Sequence, residues 1–198
     1  MRKTLLICML FPALISYLNA QTVIDADQNI YNTVNIGTQT WMVENLSTTK
    51  YNDGTSILLA TGNTWNSLTS AAYCWNNNDS ISHASKYGAL YNWHAIETNK
   101  LCPIGWHVPS IEEWSTLIDF LGGGEAAAIK MLDTITWTYS GIDQTNESGF
   151  SAPAGGRRMN YNDFVPVGDE CFFWSSSESD GIHDYAAAVI VQPFSYFK

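Results

Sequence analysis

The sequence predicts one α+β domain with two main helices and a small, mostly antiparallel, loop-rich β region. Three observations carry that prediction. Residues 110–122 spell a capped amphipathic helix, period-two alternation recurs on either side of it, and no linker or repeat divides the chain. The helix start is the most specific of the three. In Leu101-Cys102-Pro103-Ile104-Gly105-Trp106-His107-Val108-Pro109, two prolines bracket a Gly-Trp pair and leave the backbone little freedom. Ser110 then stands at an N-cap, with Glu113 three residues on to close a capping box. Ile111, Trp114, Leu117, Ile118 and Leu121 follow at helical spacing, and Gly122 stops the helix.

The other elements follow in chain order. Val23 to Leu46 reads as short strands: Asp25 to Asn29 is a turn, Ile30 to Ile36 alternates, Gly37 breaks, and Thr40 to Leu46 resumes. Asn52-Asp53-Gly54 is another turn. The polar stretch from Thr61 to Lys86, with Trp65, Tyr73 and Trp75 embedded, reads as an ordered surface loop. Gly88 to Ile96 reads as a short helix, and an Ala-rich helical turn over Glu125 to Leu132 follows three glycines. From Trp137 onward the pattern is short strands and Gly-rich turns.

The N-terminus has the form of a secretory signal over residues 1–20. Arg2 and Lys3 precede an apolar run from Leu5 to Ile15, and Leu18-Asn19-Ala20 supplies a cleavage site before Gln21. That run is too short for a comfortable span, and no later segment is apolar for long enough to cross a bilayer. The expectation is an exported domain over residues 21–198, secreted or at the cell surface. Loss of Arg2 and Lys3 leaves seven of nine basic residues against 19 acidic ones, a net charge near −12. Such a surface argues against nucleic acid, whose affinity rests on phosphate neutralisation, and against anionic lipid. With 14% charged and 13% aromatic residues, the composition suits a loop-rich extracellular domain. Cys74, Cys102 and Cys171 remain after cleavage, enough for one disulfide with three pairings open.

Several ordered blocks resemble one family. Ile36-Gly37-Thr38-Gln39-Thr40-Trp41-Met42-Val43-Glu44-Asn45-Leu46 is similar to its opening motif, and Tyr87-Gly88-Ala89-Leu90-Tyr91-Asn92-Trp93 to its second. Cys102 to Pro109 with Glu113-Trp114, then Ser148-Gly149-Phe150, Gly155-Gly156-Arg157 and Trp174-Ser175-Ser176-Ser177-Glu178, resemble later blocks. The chain is identified by them as a member of the Fibrobacter succinogenes major paralogous domain family of Bacteroidetes and Fibrobacteres, over roughly Ile24 to Val191. The resemblance implies a C-type-lectin-like fold, distantly similar to the formylglycine-generating sulfatase-modifying group, and a family of unknown function. Family members close with a Ser-Val-Arg-Cys strand, whereas this chain reads Phe194-Ser195-Tyr196-Phe197-Lys198. The resemblance therefore implies that Cys102 lacks its usual partner, and stays a thiol or pairs with Cys171.

Candidate chemistry is sparse. Asp25, Asp27 and Asn29 alternate like calcium ligands, but Ile30 and Ile36 stand where such a loop needs Gly and Glu, so a hairpin turn is the reading. Asn76-Asn77-Asn78-Asp79 beside Trp75 offers oxygen ligands next to a stacking face, for sugar or for calcium, which no full motif supports. Gln192-Pro193-Phe194 only half resembles a sugar-binding lectin signature. Glu112 and Glu113 near His107 serve the helix start, while His83, His94 and His183 share no ligand spacing. Ser175 to Ser177 lack a hydrolase elbow and mark a strand end, and Gly155-Gly156-Arg157-Arg158 is no phosphate loop.

The leading reading is a non-catalytic binding module with a glycan as its ligand. The site would be Trp75, Asn76, Asn78 and Asp79 with Trp174 and Glu178, and no catalytic residue or obligate cofactor is expected. The alternative is a structural or adhesive protein joined to an envelope partner. An extracellular enzyme ranks third, since it needs two converging carboxylates that no motif supplies.

Overall fold

The computed structural model describes residues 21–138, 143–159, 163–178 and 186–191, the last by backbone. Residues 1–20, read above as a secretory signal, His183 and Gln192-Pro193-Phe194 lie outside these residues.

An antiparallel meander opens the domain: β1 (Thr22–Ile24), β2 (Ile30–Ile36) and β3 (Gln39–Met42). Ile24 pairs with Ile30 across the first turn, so the hairpin reading of Asp25 to Asn29 holds. Asp25 is the knot of that turn. Its carboxylate accepts from the backbone N–H groups of Asp27 and Asn29, from the Asn29 amide, and from the Tyr31 hydroxyl at 2.6 Å. Asp27 meanwhile accepts from Thr49 and pairs with Lys50 at 2.9 Å. These carboxylates therefore tie the strand end to the next loop.

The polar stretch after residue 60 is more structured than its composition predicts. It holds a 3-10 turn over Gly62–Ser67, the wholly buried β5 (Ala72–Cys74) and α1 (Ser80–Tyr87), with β4 (Leu58–Leu59) parallel to β5. Ala72-Tyr73-Cys74 is too short an apolar run to stand out, yet all three side chains are inside. Residues 88–96 also depart from expectation. They divide into β6 (Leu90–Tyr91), antiparallel to β5, and a single turn α2 (Trp93–Ile96), because Asn92 caps a fresh start by accepting from the Ala95 N–H.

The predicted main helix is α3 (Ile111–Phe120), and both halves of its capping box form. Glu113 accepts from the Ser110 N–H at 2.8 Å, and the Ser110 hydroxyl accepts from the Glu113 N–H at 3.3 Å. Trp114, Leu117 and Leu121 are buried, whereas Ile111 lies at the solvent edge. The Ala-rich segment is α4 (Gly124–Met131). Two hairpins complete the fold: β7 (Arg157–Arg158) with β8 (Phe164–Val165), and β9 (Cys171–Glu178) with β10 (Ala186–Val191). The result is a mixed α/β arrangement with strands at both ends of the chain and the helices between.

Two hydrophobic clusters hold these parts together. One joins β2, β3, α3, α4 and β9 through Trp41, Trp114, Leu117, Met131 and Phe150. The other gathers Ile57, Tyr73, Tyr91, Ile96 and Leu101. Each fully buried large side chain contributes about 1.5–3 kcal/mol. Trp174 bridges the two: it packs against the second cluster, while its backbone carbonyl accepts from the Trp114 indole of the first at 3.2 Å.

Candidate functional site

A cavity of about 520 Å³ opens between the two clusters. Its walls include Trp41, Trp114, Phe150, Phe173 and Trp174, with His107 and Glu113 also lining it. The family-motif residues Asn45, Tyr87, Gly155 and Gly156 line it too, and they interlock. The Asn45 amide donates to the Tyr87 carbonyl at 2.9 Å. Gly88 has φ 73°, and a side chain there would meet Asn45 Cβ at 2.6 Å. This junction is the physical content of the Glu-Asn-Leu, Tyr-Gly and Gly-Gly-Arg blocks.

A second pocket of about 320 Å³ shares the wall formed by Leu90, Tyr91 and Phe172 to Trp174. Three tryptophans line it: Trp65 from the 3-10 turn, Trp93 from α2 and Trp174 from β9. Trp174 is held by its indole N–H, which donates to the Tyr91 carbonyl at 2.9 Å, and its ring lies 6.1 Å from Trp93. Arg158 fixes the Trp65 side. Its guanidinium lies 4.7 Å from the Trp65 ring and 5.1 Å from Phe164, and donates to the carbonyls of Ala60 and Gly62. Arg157 faces the same pocket, stacked 4.4 Å over Phe172 and paired through Nε with Glu170 at 2.9 Å.

The structure distributes the predicted site residues differently. Asn76 is only 3% exposed, and its amide donates to Gly155 O at 3.0 Å and Val165 O at 2.9 Å. It clamps the Gly155 turn and β8. Asp79 caps α1 by accepting from the Ser82 N–H, which with the Ser82 hydroxyl holds its carboxyl below the ordinary range. Asn78 takes a left-handed backbone in the intervening turn, and Trp75 packs edge-on to Tyr73 at 5.6 Å. These four and Glu178, which ends β9 opposite Ala186, line neither cavity. Trp174 lines both.

The remaining candidates have local partners. His83 bonds the Asn76 carbonyl, and His94 pairs with Glu97. His107 Nε2 lies 2.9 Å from Glu113. Burial pushes the Glu113 carboxyl up, but the Ser110 N–H and the His107 ring more than offset that and hold it below its ordinary value. The serine run stitches β9 to the helix start: the Ser177 hydroxyl accepts from the Ile111 N–H, and the Ser176 N–H donates to Pro109 O. Among the described residues no three His, Cys, Asp or Glu side chains converge on a metal position.

Cys74, Cys102 and Cys171 are all thiols, none of them joined in a disulfide. Spacing had left three pairings open, but the fold places each thiol in its own packed environment. Burial pushes the Cys102 thiol up to about 12, and burial also raises Cys74 despite the nearby Arg158.

Sequence reasoning missed Trp65, Trp93 and the paired arginines. The available signal was composition: Arg157 and Arg158 are the only arginines after Arg2. Fold and site together define a mixed α/β domain with a tryptophan-walled pocket edged by arginine. The chain belongs to the Fibrobacter succinogenes major domain family, whose model matches residues 34–196. No curated protein and no solved structure matches it.

Proposed function

We propose that the chain is an exported, non-catalytic binding module of C-type-lectin-like fold that takes a glycan in the second pocket. The observation that supports this reading is the meeting of Trp65, Trp93 and Trp174 around about 320 Å³. Indole faces stack on the C–H faces of sugar rings, and tryptophans held by hydrogen bonds and packing lose little entropy on binding. The signal-like N-terminus supports export.

A glycan array probed with the mature domain, with calcium and then with chelator, tests the reading. Binding that Trp93→Ala weakens tenfold or more, with the melting transition retained, is the expected result. A blank array from folded protein overturns it. The structural or adhesive reading rests on a different observation, the cross-strand pair Ile24 and Ile30, which are 53% and 65% exposed. Self-association in light scattering, insensitive to sugars and to calcium, would favour that reading.

A further inference from the structure

We infer that the glycan taken by the second pocket is acidic, its carboxylate meeting the Arg157 guanidinium; this rests on the glycan reading above. The argument begins with charge. The domain after the signal segment carries seven basic residues against 19 acidic ones, yet its two arginines are adjacent and both line the second pocket. An acidic domain thus sets both of its arginines at one hollow walled by three tryptophans.

The two arginines are not equivalent. Arg158 is committed to architecture by the Ala60 and Gly62 carbonyls and the two flanking rings. Arg157 keeps a side chain 43% exposed. Glu170 engages it through Nε, one of three guanidinium nitrogens, and Phe172 covers one face of the plane. The other two nitrogens carry the parallel donors that a carboxylate takes as a fork. Glu170 and Phe172 orient that fork before any ligand arrives, so little rotamer entropy remains to be lost. Stacking indoles with one oriented guanidinium match a pyranose ring bearing a carboxylate, the chemistry of a uronic-acid oligosaccharide.

Two oligosaccharides of equal length, one neutral and one built of uronic acids, form the test. Binding to the mature domain is measured calorimetrically at about 0.15 M salt, where exposed charges beyond about 8 Å are screened. The expected result is preferential binding of the uronic chain. Arg157→Gln should remove that preference, about tenfold or more, and leave neutral-sugar affinity within about twofold. Arg157→Lys keeps a cation opposite Glu170 while losing the fork, so it should fold as wild type and still lose most of the preference. A purely structural Arg157 would change stability and leave selectivity untouched, which overturns the inference. Tryptophan-dependent binding of neutral sugar with no acid preference also overturns it but leaves the glycan reading standing. Binding of neither overturns both.

Discussion

The sharpest prediction concerns Asn76, which the sequence offers as a ligand residue and the structure uses as a clamp. Asn76→Asp keeps the shape and replaces the amide N–H₂ by carboxylate oxygen, facing Gly155 O and Val165 O at 3.0 and 2.9 Å. Two hydrogen bonds vanish, each leaving a buried carbonyl without its donor at about 1–3 kcal/mol, and a buried anion now opposes both dipoles. A loss of about 4 kcal/mol is expected, a large share of the 5–15 kcal/mol typical of a domain. For a chain of this size that lowers Tm by roughly 8–16 °C. Urea unfolding followed by tryptophan fluorescence measures it. The introduced carboxyl, desolvated and facing acceptors, has its folded pKa raised, so the variant's deficit is smallest below about pH 4 and grows as pH rises through that raised value. A deficit under about 1 kcal/mol at pH 7, or one that does not change with pH, would refute the clamp. A ligand-contacting Asn76 would instead lose binding and keep its stability.

Three further outcomes are expected. Gly156 has φ 65°, and a Cβ there would lie 2.3 Å from Val165 O and 2.6 Å from Asn76 Nδ2, while Gly54 at φ 85° has open space. Gly54→Ala should then cost only the left-handed backbone term of about 1–2 kcal/mol, and Gly156→Ala well beyond it; equal Tm shifts would contradict the close approach. Burial pushes Asp27 up, but Lys50 and Thr49 outweigh it and hold the carboxyl at about 2 against an ordinary 3.8. Its folded pKa being depressed, about 2 kcal/mol of stability should be present above pH 4 and disappear toward pH 2. The wild-type advantage over Asp27→Asn should close in that window, and a gap independent of pH would count against the pairing. Finally, a thiol reagent should label Cys74, Cys102 and Cys171 in denaturant and react slowly with native protein, as the raised Cys74 and Cys102 thiols require. One thiol in denaturant would reveal a disulfide.

Much of the fold was legible because its signals are local. The Ser110–Glu113 box and the Ile111 to Leu121 spacing forecast α3 to within a residue at its end, since capping and period depend only on neighbours along the chain. The alternation of Ile30 to Ile36 forecast β2 for the same reason. By contrast, β5 was hidden because three apolar residues carry no period, and only contacts from Leu58, Leu59 and Tyr91 make them a strand. Of the candidate ligand-binding residues, Trp174 alone lines a cavity. The Asn76 amide reaches backbone about 80 and 90 residues away, a distance that no reading along the chain spans.

By itself, then, the sequence determined the family, the capped helix, the opening strands and the acidic, aromatic-rich character of the domain, all of which are local pattern or composition. Only the tertiary structure decided which polar side chains are spent on the fold and which face an open pocket. An asparagine carries the same donors wherever it stands, and its role depends on whether water, ligand or a buried carbonyl receives them. For Asn76 that receiver is the carbonyl pair, while Trp65, Trp93 and Arg157 come together at the second pocket because Trp93 packs on Trp174, Arg157 on Phe172 and Arg158 on Trp65, contacts between separate elements.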